Sequence, residues 1–493
     1  MTQGFSNDKY VQLQAQHIRE RIAQFGGKLY LEFGGKLFDD YHASRVLPGF
    51  QPDTKIRMLQ SLSDEVEVII AINSAHIEKS KVRGDLGITY DEDVLRLMDI
   101  FKSMGFAIAG VVVTQYANQP AADAFRKRLA NLGVPSYLHY PIEGYPFDIE
   151  RIVSEEGYGK NEYVTTTRPL VVVTAPGPGS GKMATCLSQL FHEHKRGVEA
   201  GYAKWETFPI WNLPLNHPVN IAYEAATVDL DDDNIIDPFH LEAYGKTTVN
   251  YNRDVEIFPV LKAMMERILG SSPYQSPTDM GVNMAGMAIV DDEAVRIAAR
   301  TEIARRYYRC AVQFRKTATG EKELSKLKML MNKTDAALTL EPLRQAALNR
   351  EAATGLPAGA LRLPDGTIVT GKTSDLLGAA SSLLMNALKA AAGVPQDVLV
   401  ISEEALKPIC ELKTRHLNHK NPRLHSDETL IALSISSATN EQAAAAVDSC
   451  SALAGCDAFF SVIISPTDEK LFKSLGINVS CEPKFEQRSL YHK

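Results

Sequence analysis

With 493 residues, 45% of them apolar and 23% charged, the chain has the length for about two to four domains, and its near-average composition excludes a disordered or fibrous class. A net charge of −7 with no basic block gives no electrostatic footprint for nucleic acid or an anionic membrane surface, which leaves small molecules and proteins as partners. Six cysteines at 186, 310, 410, 450, 456 and 481 form no C-x-x-C pair, the N-terminus MTQGFSNDKYVQLQAQ lacks a signal pattern, and no apolar run is long enough to span a bilayer, so a cytoplasmic protein without a disulfide framework is expected.

From residue 28 to about 205, short apolar runs alternate with helical stretches. KLYLEF (28–33), VEVIIAIN (66–73), AIAGVVVTQY (107–116), SYLHYP (136–141), PLVVVTAP (169–176) and AGYAKW (200–205) read as strands. Between them DEDVLRLMDIFKSMG, AADAFRKRLANLG and FDIERIVSEEG read as helices that close at glycine. This alternation predicts a Rossmann-like α/β domain over 1–214, with a doubly wound, mostly parallel sheet.

Residues 215–345 change character. VEIFPVLKAMMERILG and DEAVRIAARTEIARRYYRCAVQFRK carry apolar residues at helical spacing, which predicts a mostly helical middle domain, and the arginines of the second segment suit salt bridges or a subunit interface. Alternation returns over 346–493, a second α/β domain in which DVLVIS (397–402), TLIALSIS (429–436) and AFFSVIIS (458–465) are expected strands, and SDLLGAASSLLMNALKAAAG and NEQAAAAVDSCSALAGC expected helices.

The stretch LVVVTAPGPGSGKMATCLSQLFHEH (170–194) has the layout of a phosphate-binding loop. A buried strand runs into a glycine-rich turn, and Lys182 opens a helix, an order that aims free backbone N–H groups and the positive end of the helix dipole at one point. Gly177, Gly179, Ser180, Gly181 and Lys182 are therefore candidate ligand contacts. The spelling departs from that of nucleotide hydrolases: Pro176 replaces the first glycine, and Met183 stands where a hydroxyl would ligate magnesium. A second stretch, Gly366 to Thr373, fits G-x-x-x-x-G-K-[ST] letter for letter, but Ile368 and Val369 and the turn Leu363-Pro364-Asp365-Gly366 make it a hairpin between ALRL and TIVTG.

Ligands of open α/β sheets sit beyond the carboxyl ends of the strands, which adds Gly34, Gly35 and Lys36, Asn73 and His76, Gln115 and Tyr116, and Lys204. His76, and Asp279 in the loop YQSPTDMGVNMAG, are the acid–base candidates. The run Asp229 to Asp233, with Asp237 nearby, could supply oxygens to a hard cation or form a solvated loop, and Thr370 to Asp375 is expected to open the long helix that follows.

The segments LYLEFGGKLFDDYHASRVLPGF, APGPGSGKMATCLSQL, KWETFPIWNLPLNHPVN, SPTDMGVNMAG and VTGKTSDLLGAASSLLMNALK together resemble a bacterial family known as domain of unknown function 1846, over nearly the whole chain. The resemblance implies a bacterial cytosolic protein, a multi-domain α/β architecture with a helical insert, and homo-oligomers. It carries no activity and no set of catalytic residues.

The residues point to a cytosolic enzyme that binds a nucleotide or phosphometabolite, with ATP or another phosphate-bearing ligand as cofactor, a carboxylate as the other candidate anion, and the use of magnesium open. The competing expectation is a non-catalytic, metabolite-sensing homo-oligomer built around the same pocket.

Overall fold

The structure, a computed structural model, describes residues 3–35, 37–38, 40–84 and 86–486. Its contacts divide the chain into two units, one ending at Arg296 and the other beginning at Ile297.

The first unit is built on a six-stranded sheet of β1 (Leu29–Phe33), β2 (Val66–Asn73), β3 (Ala107–Thr114), β4 (Ser136–Leu138), β5 (Leu170–Thr174) and β6 (Gly201–Trp205). Every strand expected from the alternation before residue 214 is present. All pairings are parallel, and the order is β4-β3-β2-β5-β1-β6. Every residue of β1 and β5 is buried, as parallel strands covered on both faces require. On one face Tyr30, Ile69, Val171 and Val173 pack with Cys186 and Leu187 of the helix Lys182–Lys195 and with Phe258 and Leu261 of the helix Asn252–Leu269. Alternate residues such as Leu31, Ile70 and Val172 point the other way and are equally buried.

The order of the strands places the site. β2 leads outward to β3 and β5 leads the opposite way to β6, yet β2 and β5 lie side by side, so the loops leaving their carboxyl ends diverge and open a crevice between them.

The unit also holds a small antiparallel sheet, β7 (Asn234–Ile236) with β8 (Val249–Tyr251), which the helical reading of this region did not contain. The acidic run lies beside it: Asp232 pairs with Arg253, and buried Asp237 caps the helix Pro238–Tyr244 and accepts from the Thr278 hydroxyl at 2.6 Å. The mostly helical stretch expected over 215–345 lies on both sides of the division at residue 296.

The second unit carries a mixed sheet of β9 (Ala358–Arg362), β10 (Ile368–Lys372), β11 (Asp457–Phe460) and β12 (Asn478–Cys481), in the order β10-β9-β11-β12. β9 and β10 form the expected hairpin, with Gly366 at φ 92° in its turn, so Gly371 and Lys372 belong to a strand and not to a phosphate loop. Two expected strands are corrected. Residues 429–436 lie in the helix Ser426–Ser436, whose buried residues Ser426, Thr429, Ala432 and Leu433 follow a helical spacing, and a capping box between His425 and Glu428 starts it despite the β-branched content. Residues 397–402 form a turn and bends that pair with no strand of the sheet, and Val400 and Ile401 are buried in the core of this unit instead. β11 stops at Phe460, and the helix expected to open at Thr370–Asp375 begins at Ala379 after Gly378. In the arginine-rich helix, Arg305 pairs with Asp457 and with the buried Glu302.

Candidate functional site

The turn after β5 is shaped so that its carbonyls face the fold and its N–H groups do not. The Gly177 carbonyl accepts from the Ser180 hydroxyl at 2.9 Å, that of Gly179 from Asn73 Nδ2 at 3.1 Å, that of Ser180 from the Thr114 hydroxyl at 2.9 Å, and that of Gly181 from Thr185 N at 2.9 Å. Gly181 caps the helix Lys182–Lys195 in the left-handed region at φ 86°, where a side chain is disfavoured, and a Cβ there would stand 2.9 Å from Thr114 Oγ1. Among the described residues no protein group accepts from the N–H groups of Gly179, Ser180, Gly181, Lys182 or Met183. Five donors at the positive end of a 14-residue helix therefore have no protein acceptor among the described residues.

The neighbouring strand ends supply the surroundings. Asn73 ends β2 and caps the short helix Ser74–Glu78 through Oδ1, while its amide reaches Gly179. His76, one turn on, stands with Cε1 3.4 Å from the position of a Cβ on Gly179, and its ring meets Tyr90 edge-on at 5.1 Å. Lys81 Nζ lies 3.4 Å from His76 Nε2 and 4.9 Å from the centre of the Tyr90 ring. His76 Nδ1 is buried without a partner. Burial first, then the charges of Lys81 and Lys79, hold the His76 pKa below its ordinary value, so the ring is neutral near pH 7. Lys182 is half-buried, and its ammonium has no carboxylate partner among the described residues.

Of the residues singled out from sequence, the structure brings together Gly177, Gly179, Ser180, Gly181, Lys182 and His76. Gly34 and Gly35 lie at the end of β1, next to β5, where Gly34 N donates to Trp205 O and a side chain on Gly34 would run into Glu206. Lys36 lies outside the described residues. Asp279 is held elsewhere: it completes a capping box with Ser276, accepts from the Tyr244 hydroxyl at 2.9 Å, and faces His240 at 3.6 Å. Among the described residues, none of its partners belongs to the glycine loop. Sequence reasoning missed Tyr90, Lys81 and Thr114; only the last gave a signal, as the terminal polar residue of an apolar strand.

A second polar cluster lies where β6 ends. Lys204 Nζ reaches Asp254 at 2.7 Å and Glu206 at 3.1 Å. Burial opposes charge on Lys204, but Asp254, Glu206 and Glu32 outweigh it and raise its pKa, while burial pushes the Glu206 carboxyl up to about 7. These charges satisfy one another, in contrast to the open donors of the loop.

Comparison with known proteins bears on the whole chain. Residues 3–335 match the N-terminal domain, and residues 339–491 the C-terminal domain, of the family described as domain of unknown function DUF1846. UPF0371 proteins of Streptococcus thermophilus (strain ATCC BAA-491 / LMD-9) and Streptococcus pneumoniae serotype 2 (strain D39 / NCTC 7466) are each 56% identical to it over 493 residues, covering 100% of this chain and 99% of the relative. The chain belongs to the DUF1846 family.

Proposed function

We propose that the chain is an enzyme that binds a nucleotide or phosphometabolite through the loop Ala175–Gly181 and the first turn of the helix Lys182–Lys195. The observation that carries this reading, among the described residues, is the set of main-chain N–H groups from Gly179 to Met183 with no acceptor, beside a Lys182 ammonium with no carboxylate partner. Such donors lose their hydration when a ligand covers them and need an acceptor in return, which phosphate oxygens supply. Lys182 adds a mobile charge, and Lys81 extends the positive field past His76. Met183 offers no hard oxygen, so any magnesium must be held by other groups or by the ligand.

His76 gives the site a chemical function. A neutral imidazole beside the anion takes a proton from a reacting group at Nε2, the atom that faces Gly179, when Lys81, which donates to it at 3.4 Å, turns its ammonium to the ligand. The reaction takes place in the cytoplasm on this reading: all six cysteines are free, four of them buried, as suits a reducing compartment, and among the described residues no helix is long and apolar enough to cross a membrane.

Calorimetric titration of wild type and Lys182→Ala with inorganic phosphate and pyrophosphate tests the reading. Loss of Lys182 should weaken pyrophosphate about tenfold or more, the cost of one charge-assisted hydrogen bond. Equal affinity in both proteins, or no binding to either, would overturn it.

A further inference from the structure

Behind Gly181 lies a small cavity that the anion site alone does not require. It is bounded by Thr114 at the end of β3 and Gln115 after it, His139 and Tyr140 after β4, Tyr145, and the first turn of the helix Lys182–Lys195. Its volume is about 30 Å³, room for a water molecule or two. A hydroxymethyl group fits such a space and a nucleobase does not.

His139 lines it together with the polar side chains of Thr114, Gln115, Tyr145 and Asn161. The His139 side chain is 3% exposed, and Nε2 stands 3.2 Å from the Glu162 carbonyl oxygen. A carbonyl only accepts, so Nε2 carries the proton and Nδ1 is left as a lone-pair acceptor. Burial pushes the His139 pKa down to about 4, which keeps the ring neutral in ordinary buffers. Nδ1 has no partner among the described residues.

We infer that the ligand is a compact hydroxylated phosphate ester: its phosphate sits on the N–H groups of Gly179 to Met183, and an adjacent hydroxyl enters the cavity and donates to His139 Nδ1. The inference rests on the anion reading above and narrows it, because Gly181 and Ala184 at the helix terminus line a cavity with room for one hydroxymethyl group. An unpaired acceptor in a closed space discriminates strongly, since a ligand that fills the cavity without a hydroxyl leaves the lone pair buried and unmet.

Glycerol phosphate and propyl phosphate differ only in hydroxyls and are the probes. Wild type should bind glycerol phosphate about five- to tenfold more tightly than propyl phosphate, the worth of one neutral hydrogen bond. In His139→Phe the two should bind within about twofold of each other, with inorganic phosphate unaffected. Ile142→Trp, which fills the cavity while leaving His139 in place, should weaken glycerol phosphate and spare inorganic phosphate, so a folding defect in the first variant does not decide the matter. Equal affinity for the two esters in wild type, or a preference that survives both substitutions, overturns the inference while the anion reading stands. Failure of inorganic phosphate and both esters to bind removes the two together.

Discussion

Gly181 and His76 each answer to a partner that arrives from another strand. Gly181 has a positive φ that an alanine tolerates poorly, and Thr114 fills the space where a Cβ would go. Gly181→Ala should therefore cost about 1–2 kcal/mol for the left-handed conformation, with the contact adding to it, measurable as a lower denaturation midpoint. His76 makes a prediction in pH. Its pKa is depressed in the free protein, and a bound anion favours the imidazolium, so binding takes up a proton and tightens as pH falls through the range below 6.5. Sulfate, whose own charge is constant there, should bind more strongly at pH 5.5 than at pH 8, and the dependence should flatten in His76→Asn. A steep dependence that persists in the variant would assign the proton to another group. Gly181 was legible as a loop glycine because its neighbours in sequence define the turn. Thr114 as its filler was not, because that contact depends on β3 lying two strands from β5.

Two elements offer a phosphate-loop reading, one by its layout and the other by its letters, and they reach different structures. In Leu170–Lys195 the strand is apolar throughout and the break is a run of glycines and prolines, so strand, turn and helix follow in order. In Gly366–Thr373 the variable positions are β-formers, and the segment continues as β10 paired with β9. Lys372 accordingly donates to the neighbouring Thr373 carbonyl, and Lys372→Ala should leave pyrophosphate affinity at its wild-type value in the titration that Lys182→Ala disturbs. Gly366→Ala meets no neighbouring atom but sits at φ 92°, so a cost of about 1 kcal/mol is expected, confined to the hairpin and readable by hydrogen exchange of β9 and β10. The residues 429–436 mark the limit of reading periodicity alone: Thr429, Ile431 and Ile435 favour a strand, but the end cap supplied by His425 and Glu428 and the burial of Ala432 with Leu433 commit the segment to a helix.

Each unit of the molecule has a hydrophobic core of its own. Leu383, Leu388, Phe460 and Phe472 belong to one cluster in residues 297–493, and Val171, Leu187 and Phe258 to another in the residues up to 296. A cavity opened in the first should not reach the anion site. Leu383→Ala removes a fully buried side chain and should destabilise its unit by about 2–5 kcal/mol in denaturant, with phosphate affinity unchanged under conditions where both units stay folded. A parallel loss of phosphate affinity in the native range would show the two to be coupled.

The amino-acid sequence by itself determined the six strands of the first sheet, the helices Tyr90–Ser103 and Pro120–Asn131 and the glycine turn before Lys182, because these follow from apolar periodicity and turn chemistry over a few adjacent residues, whereas the helix expected over 147–157 shrinks to Ile149–Ile152. Tertiary structure alone decided that the turn keeps its N–H groups open. Asn73 and Thr114 take the loop carbonyls only because β2 and β3 stand on the same side of β5, and that order fixes which distant side chains meet the turn. It likewise separated His76, which lies against Gly179, from Asp279, which is held in a helix cap: chemistry at a crevice depends on strand order, and local spacing carries no record of it.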